Sequence, residues 1–355
     1  MAPSVQLIEP YHGESHARLV DGMVRRLPFD FRLLTMTPRK WKWRMRGSAL
    51  WAADALSGAP PADVLFASAY LALPDFLALG PVWARDALKV VYFHENQFVY
   101  PARLEKEWDF HFALSNVTTA LAADRVAFNS AYNRDSFLGA IPAFLKKFPD
   151  YRPERVAERI AARSVVLPVP LEPEEFRDLP RPERRGPARI LWNHRWEHDK
   201  DPEAFFAALF RLADTGLPFE VVVAGESFAE RPPVFDAARV RLGARVVHWG
   251  WLEARRDYLA MLASCDLVVS TALHEFFGVA VLEAVRAGCF PVLPDRLSYP
   301  ELFPAGTLYR DGQLAEVLAR RIEAIEAVRR EDLRGLAARY EWPRWEEAWR
   351  ALLTR

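Results

Sequence analysis

The sequence predicts an α/β protein built from two parallel sheets, and three observations carry that expectation. Short apolar or β-branched runs alternate with longer helical patterns, the order that βαβ units produce. The alternation occurs twice, with runs at 5–8, 32–36, 64–67, 90–93, 125–128 and 165–167, then at 189–192, 220–224, 245–249, 267–270 and 290–293. Between the two series, Pro168, Pro170, Pro173, Pro180, Pro182 and Pro187 stiffen the chain and remove backbone donors, as a linker would. A length of 355 residues accommodates two such domains at about 100–200 residues each. The expected divisions are 1–170, 171–335 and a terminal piece, 336–355, read as a helix packing back across the body. Trp342, Trp345 and Trp349 share one helical stripe there and are read as packing aromatics.

Composition narrows the class. An aromatic content of 13% and the lack of any heptad or triplet period exclude a disordered chain, a coiled coil and a collagen-like chain. Cys265 and Cys289 lie in apolar surroundings and read as buried free thiols, not a disulfide framework. No apolar stretch reaches about 18 residues, and Met1-Ala2-Pro3-Ser4 lacks a basic leader, so a cytoplasmic protein with no membrane span is expected. Zero net charge argues against coating nucleic acid over the whole surface, yet the average hides a patch. Residues 31–53 contain no acid, while Arg32, Arg39, Lys40, Lys42, Arg44 and Arg46 surround Trp41 and Trp43 and precede Trp51.

The residues suited to chemistry follow strands. After the first strand comes Glu9-Pro10-Tyr11-His12-Gly13-Glu14-Ser15-His16, then a helical pattern from about Ala17. A glycine turn opening a helix presents unpaired N–H groups to an anion; an ordinary turn capped by Ser15 is the other reading. His94 and Glu95 end the run at 90–93, where a histidine serves equally as a core residue or as a catalyst. Asn193-His194-Arg195-Trp196-Glu197-His198-Asp199-Lys200 leads into a helix at Pro202 with Asp201 as its cap. Arg195 and Lys200 bracket that loop at the carboxyl end of a strand, and two cations there suit a diphosphate; a mixed-charge surface loop is the alternative. His194 and His198 raise zinc by their i,i+4 spacing, but no third ligand accompanies them and no metal is expected. The strongest signal is at 274–284. Glu275 precedes a helix, Glu283 lies inside it, and Phe277-Gly278-Val279 between them leaves backbone N–H groups facing the loop. That layout lets two carboxylates accept hydrogen bonds from ribose and sugar hydroxyls while amides meet phosphate.

Together, the two Rossmann-like halves, the Arg195 to Lys200 loop and the Glu275 to Glu283 pair resemble a retaining GT-B glycosyltransferase, whose parallel sheets face each other across a cleft. More narrowly, Lys40-Trp41-Lys42-Trp43-Arg44, Tyr92-Phe93-His94-Glu95-Asn96-Gln97, the run from Leu191 to Pro202, His248-Trp249-Gly250 and the run from His274 to Ala284 resemble the tRNA-queuosine α-mannosyltransferase family. The resemblance covers nearly the whole chain. It implies transfer of mannose from GDP-mannose to the cyclopentene hydroxyl of queuosine in the anticodon loop of tRNA-Asp, with configuration retained and without metal or cofactor. It implies further that Arg195 and Lys200 hold the diphosphate, Glu283 the ribose and Glu275 the mannose. Gly225, Glu226, Trp249 and Gly250 would lie near guanosine, with Trp251 beside them, and His94 near the reacting sugar. Gly13, Asn193, Phe277, Gly278 and Val279 would complete the donor site. Relatives often carry a second glycine where Glu14 stands, and an acid beside phosphate is unfavourable, so contact by the Gly13 loop stays open.

For the basic segment, Lys40, Lys42, Arg44 and Arg46 would meet RNA phosphates and Trp41 and Trp43 would stack on unpaired bases. If the segment were a strand, alternation would instead turn the tryptophans toward the core. The donor site does not name the acceptor, so a transferase acting on a glycan, lipid or small molecule, or a silent nucleotide-sugar sensor, are the competing readings.

Overall fold

The structure, a computed structural model, describes residues 2–99, 109–180, 182–227 and 231–355. The chain divides into two compact units, Met1–Pro170 with Trp342–Arg355, and Leu171–Glu341. The proline-rich stretch straddles the first division, and its Arg181 lies outside the described residues.

The first unit holds β1 (Ser4–Glu9), β2 (Asp30–Thr35), β3 (Val64–Ser68), β4 (Leu88–Phe93), β5 (Arg125–Phe128) and β6 (Ser164–Val166). They form one sheet in the order β2-β1-β3-β4-β5-β6, parallel at every pairing. The second unit repeats the design with β7 (Ala188–Trp192), β8 (Phe219–Ala224), β9 (Val246–Gly250), β10 (Leu267–Val269), β11 (Phe290–Pro294) and β12 (Leu308–Tyr309), in the order β12-β11-β10-β7-β8-β9. Central strands such as β3 and β11 are buried along their whole length, as expected of parallel sheets covered by helices on both faces. Strand order reverses between β1 and β3 and again between β7 and β10. The loops that follow these strands therefore sit where open α/β sheets bind ligands. Strand β12 is two residues long, too short to leave a pattern in the sequence. Among the described residues no helix is long and apolar enough to cross a membrane.

The expected terminal piece at 336–355 is split by the fold. Tyr340 accepts a hydrogen bond from the N–H of Leu171, and Glu341 pairs with Arg286 at 2.6 Å, which keeps both with the second unit. Trp342 and Trp349 are instead fully buried in the first unit, Trp349 against Phe66 and Tyr92. Arg125 donates to the carbonyls of Ala351, Leu352 and Thr354, satisfying the end of the last helix, Glu346–Leu353. Residues 41–55 form a helix rather than a strand, so Trp41 and Trp43 are separated by helical geometry and not by strand alternation.

Gly22 lies inside the helix Glu14–Arg26, and a Cβ there would stand 2.5 Å from the Trp342 indole nitrogen. Alanine favours a helix by about 1 kcal/mol over glycine, but the buried indole has nowhere to move. Gly22→Ala is expected to destabilise the protein by about 1–3 kcal/mol in urea unfolding followed by tryptophan fluorescence. A midpoint equal to or above that of the parent would contradict this packing.

Candidate active site

In the second unit the loops after β7 and β10 are tied together by their backbones. The N–H groups of Leu273 and His274 donate to the Asp199 carbonyl, and the Thr271 hydroxyl donates to the Lys200 carbonyl at 2.7 Å. Trp192 closes the link from behind, donating its indole N–H to Thr271 at 3.3 Å. Asp201 caps the helix Pro202–Asp214 by accepting from Ala204, as the sequence suggested. The Lys200 ammonium is buried. It donates to the His274 carbonyl at 2.7 Å and pairs with Asp199 at 3.1 Å and Glu275 at 3.5 Å. Burial alone would discharge this lysine; the two carboxylates overcome that and raise its pKa. Asp199 and Glu275 are held below the ordinary carboxylate range by Lys200, against the opposing effect of burial. Arg195 pairs with Glu197 at 3.2 Å. The cations expected to meet a diphosphate are thus each matched by acids, and Asp199 was given no role in the sequence reading.

The amides that follow Glu275 directly are engaged by its own side chain. Glu275 Oε1 accepts from the N–H groups of Phe276, Phe277 and Gly278 at 3.1, 3.3 and 2.9 Å. The expectation of unpaired amides is corrected for Phe277 and Gly278: the carboxylate occupies the N–H groups of the turn that leads into the helix Val279–Ala287. Gly278 has a φ of 81°, and a Cβ would come within 3.3 Å of Tyr299, which accounts for the glycine. The Phe277 ring is buried, edge-on to Tyr340. Val279 opens the helix and Glu283 lies inside it, buried and joined to Arg255 at 2.5 Å. Arg255 also pairs with Glu175 at 2.6 Å. These two partners come from distant parts of the chain and left no mark near Glu283. Asn193 donates to Tyr258 at 3.0 Å and to the Ala280 carbonyl at 2.8 Å, locking the end of β7 to the same helix.

Residues expected near guanosine gather beside this loop. Trp196 donates its N–H to the Glu226 carbonyl and Gly225 to the Gly250 carbonyl. A Cβ on Gly225 would fall 1.9 Å from the His194 carbonyl oxygen, so only glycine fits. Trp249 packs against Trp196, Phe206 and Phe235, whereas Trp251 is 62% exposed. His194 is buried and His198 is not, and only His198–Lys200 is a helical turn. The i,i+4 face that would have paired them for zinc does not form.

In the first unit, the helix after β1 begins at Glu14 with Gly13 as its N-cap and no side-chain cap, so the expected cap by Ser15 is absent. Gly13 is extended, and a Cβ there would meet Pro38 at 2.5 Å. Glu14 has a φ of 47°, a left-handed value that glycine takes without cost and other residues hold at about 1–2 kcal/mol. Glycine would hold this position at lower cost. His94 follows β4, is buried and stacks on His16. At the start of the helix Trp41–Ala55, its N-cap Lys40 and the first-turn Lys42 and Trp43 are exposed. Arg44 donates to the Thr37 carbonyl at 3.2 Å and Arg46 pairs with Asp109 at 2.7 Å. Trp41 packs on Phe112 with ring centroids 5.2 Å apart, beside the buried Met45 and Tyr70.

The described site can be set beside known proteins. Residues 4–171 match the family described as tRNA-queuosine alpha-mannosyltransferase N-terminal, and residues 174–335 match glycosyl transferases group 1. The chain is 38% identical over 321 residues to the tRNA-queuosine alpha-mannosyltransferase of Drosophila melanogaster, covering 86% of this chain and 83% of that one. A GDP-mannose-dependent alpha-(1-6)-phosphatidylinositol dimannoside mannosyltransferase of Mycobacterium tuberculosis is 27% identical over 164 residues, 44% of this chain and 42% of its own. The crystal structure of Anabaena Alr3699/HepE in complex with UDP shares the fold, with a TM-score of 0.70 at 15% identity and 99% of both chains covered.

Burial, with Lys200 nearby, pushes His194 down to about 4. The unfolded chain takes up that proton near pH 6.5, before the folded chain does. Stability is therefore lost as pH falls from about 6.5 to 4, by about 3 kcal/mol in total for this group. His194→Asn is expected to flatten that part of the stability-pH curve in urea titrations. An unaltered slope would show that His194 is not held neutral.

Proposed function

The chain belongs to the tRNA-queuosine alpha-mannosyltransferase family, and from that premise we propose that it transfers mannose from GDP-mannose to the cyclopentene hydroxyl of queuosine in the anticodon loop of tRNA-Asp, in the cytoplasm and with the anomeric configuration retained. The observation that carries the proposal is the buried Lys200 with Glu275 and Asp199 at the strand-order reversal of the second unit, beside Arg195. The GDP-mannose dependence of the mycobacterial relative supports the donor.

Breaking the bond to GDP leaves negative charge on the β-phosphate and positive, oxocarbenium-like charge on the sugar. Arg195 and Lys200 stabilise the first as fixed cations, the work that a metal does in other transferases, and no metal is required. The diphosphate competes with Asp199 and Glu275 for the two cations. As it binds, Glu275 accepts from mannose hydroxyls, while Glu283, oriented by Arg255, accepts from ribose. Asn193, Gly225, Glu226 and Trp249-Gly250 at the end of β9 form the nucleoside side. His94 meets the sugar. The acceptor oxygen attacks the face from which the phosphate leaves, with that phosphate receiving its proton. On the acceptor side, Lys40 and Lys42 meet tRNA phosphates, and Trp43, not the packed Trp41, stacks on an unpaired base; Arg44 and Arg46 support this helix through Thr37 and Asp109.

Incubation with GDP-mannose and queuosine-containing tRNA-Asp, then digestion to nucleosides, is expected to add the mass of one hexose to queuosine. No transfer from GDP-mannose but transfer from another nucleotide sugar would overturn the donor. Arg195→Gln is expected to lower kcat about a hundredfold with the fold intact; a loss under about threefold would remove Arg195 from the leaving-group site. For the acceptor, replacing Lys40 and Lys42 together by glutamine should reduce the salt slope of tRNA binding by about 2 without changing GDP affinity. Trp43→Ala should weaken tRNA binding by about tenfold or more. An unaltered slope and affinity would place the RNA elsewhere.

A further inference from the structure

Glu9 ends β1, His16 lies in the first helix and His94 follows β4, and all three are buried. Glu9 Oε1 accepts from the Ser68 hydroxyl at 2.9 Å and from the Tyr11 N–H at 2.8 Å. Its other oxygen lies 3.1 Å from His16 Nδ1, a charge contact rather than an aligned hydrogen bond. The His16 and His94 rings stack with centroids 3.7 Å apart and planes 21° from parallel. Tyr11 and Tyr70 stand edge-on to His16 and Tyr92 edge-on to His94, while Asn129 donates to the His94 carbonyl at 2.6 Å. Nδ1 of His94 is buried without a hydrogen-bond partner among the described residues.

The ligand atoms of Glu9, His16 and His94 lie within 4.8 Å of one another, so a shared metal ion is the first reading to test. Two imidazoles bound to one ion at about 2.0–2.1 Å place their centroids about 5 Å apart with both planes meeting at the ion. A near-parallel stack at 3.7 Å does neither. A charged ring over a neutral one fits this geometry. Two buried imidazolium rings face to face would repel strongly, so one proton is shared out, and the carboxylate beside His16 assigns it there.

We propose that Glu9 and His16 form a buried carboxylate–imidazolium couple that holds His94 as a neutral imidazole, fixed in ring plane, for contact with the reacting sugar. The proposal rests on the reading of His94 as the sugar-facing residue. Positive charge develops on the sugar as the donor bond breaks; a cationic His94 would oppose it, whereas a neutral ring hydrogen-bonds a hydroxyl without that repulsion. Glu9 and His16 are positioning residues. The ionisation directions agree. Burial and then the neighbouring His16 push His94 well below the ordinary histidine range. Burial works against a charge on His16, but Glu9 overcomes it, with Glu95 and Glu14 adding to the effect. The titratable groups around the pair are these three carboxylates and the phenols of Tyr11, Tyr70 and Tyr92. Glu95 is itself engaged by the Tyr70 hydroxyl at 2.9 Å and Gln97 at 3.1 Å.

The test is an NMR pH titration of labelled histidines in the full chain, paired with pH profiles of kcat. Wild-type His94 is expected to stay neutral from about pH 5 to 8. In His16→Gln, and in the isosteric Glu9→Gln where His16 loses its charge, His94 should take up a proton at least about tenfold more readily. The acid limb of kcat should move to higher pH in step, with GDP affinity unchanged. His94→Gln should lower kcat by about tenfold or more. A His94 titration unaltered in both variants would overturn the couple. A shifted titration combined with parental kcat in His94→Gln would instead overturn the sugar-facing reading and leave the couple with no catalytic part.

Discussion

A lysine only 7% exposed to solvent is the constraint around which the second unit is arranged. Lys200 stays charged there only because Asp199 and Glu275 reach it and the His274 carbonyl accepts from it. Those partners come from two loops on either side of the strand-order reversal, so the loops must close on each other. Their mutual backbone hydrogen bonds do that. Neighbouring choices follow from the same closeness: no side chain fits at Gly225, and Asn193 pins the strand end to the helix that carries Glu283. Removing one member leaves a buried charge uncompensated, at a cost of about 3–5 kcal/mol. A site of this kind is fully assembled or badly destabilised.

Much of this was legible in the sequence. The doubled alternation of strand and helix patterns gave two parallel sheets, and Asp201-Pro202 marked a helix start because a cap and an N1 proline are local signals. Long-range pairing leaves no such trace. Arg255 reaches Glu283 from another element and is itself held by Glu175, and nothing near Glu283 announces them. Glu275 was recognised, but its use of three amides depends on a backbone turn that spacing does not encode. The basic segment at 40–46 could be divided into packed and exposed members only once Phe112, Asp109 and Thr37 were placed beside it. The division at Glu341 and Trp342 was likewise set by partners, an ion pair on one side and a buried indole on the other.

The two units manage charge in opposite ways. The second concentrates ionised groups and balances them, which keeps Lys200 charged. The first buries a carboxylate and two imidazoles so that one ring carries the charge and the other does not.

The charge state of Lys200 underlies this account, and heteronuclear NMR of its side chain as pH is raised tests it most directly. The structure predicts that the ammonium persists beyond the ordinary lysine value of 10.5, because its two carboxylates outweigh burial. Loss of the proton below that value would mean that burial outweighs the two carboxylates, which contradicts the account.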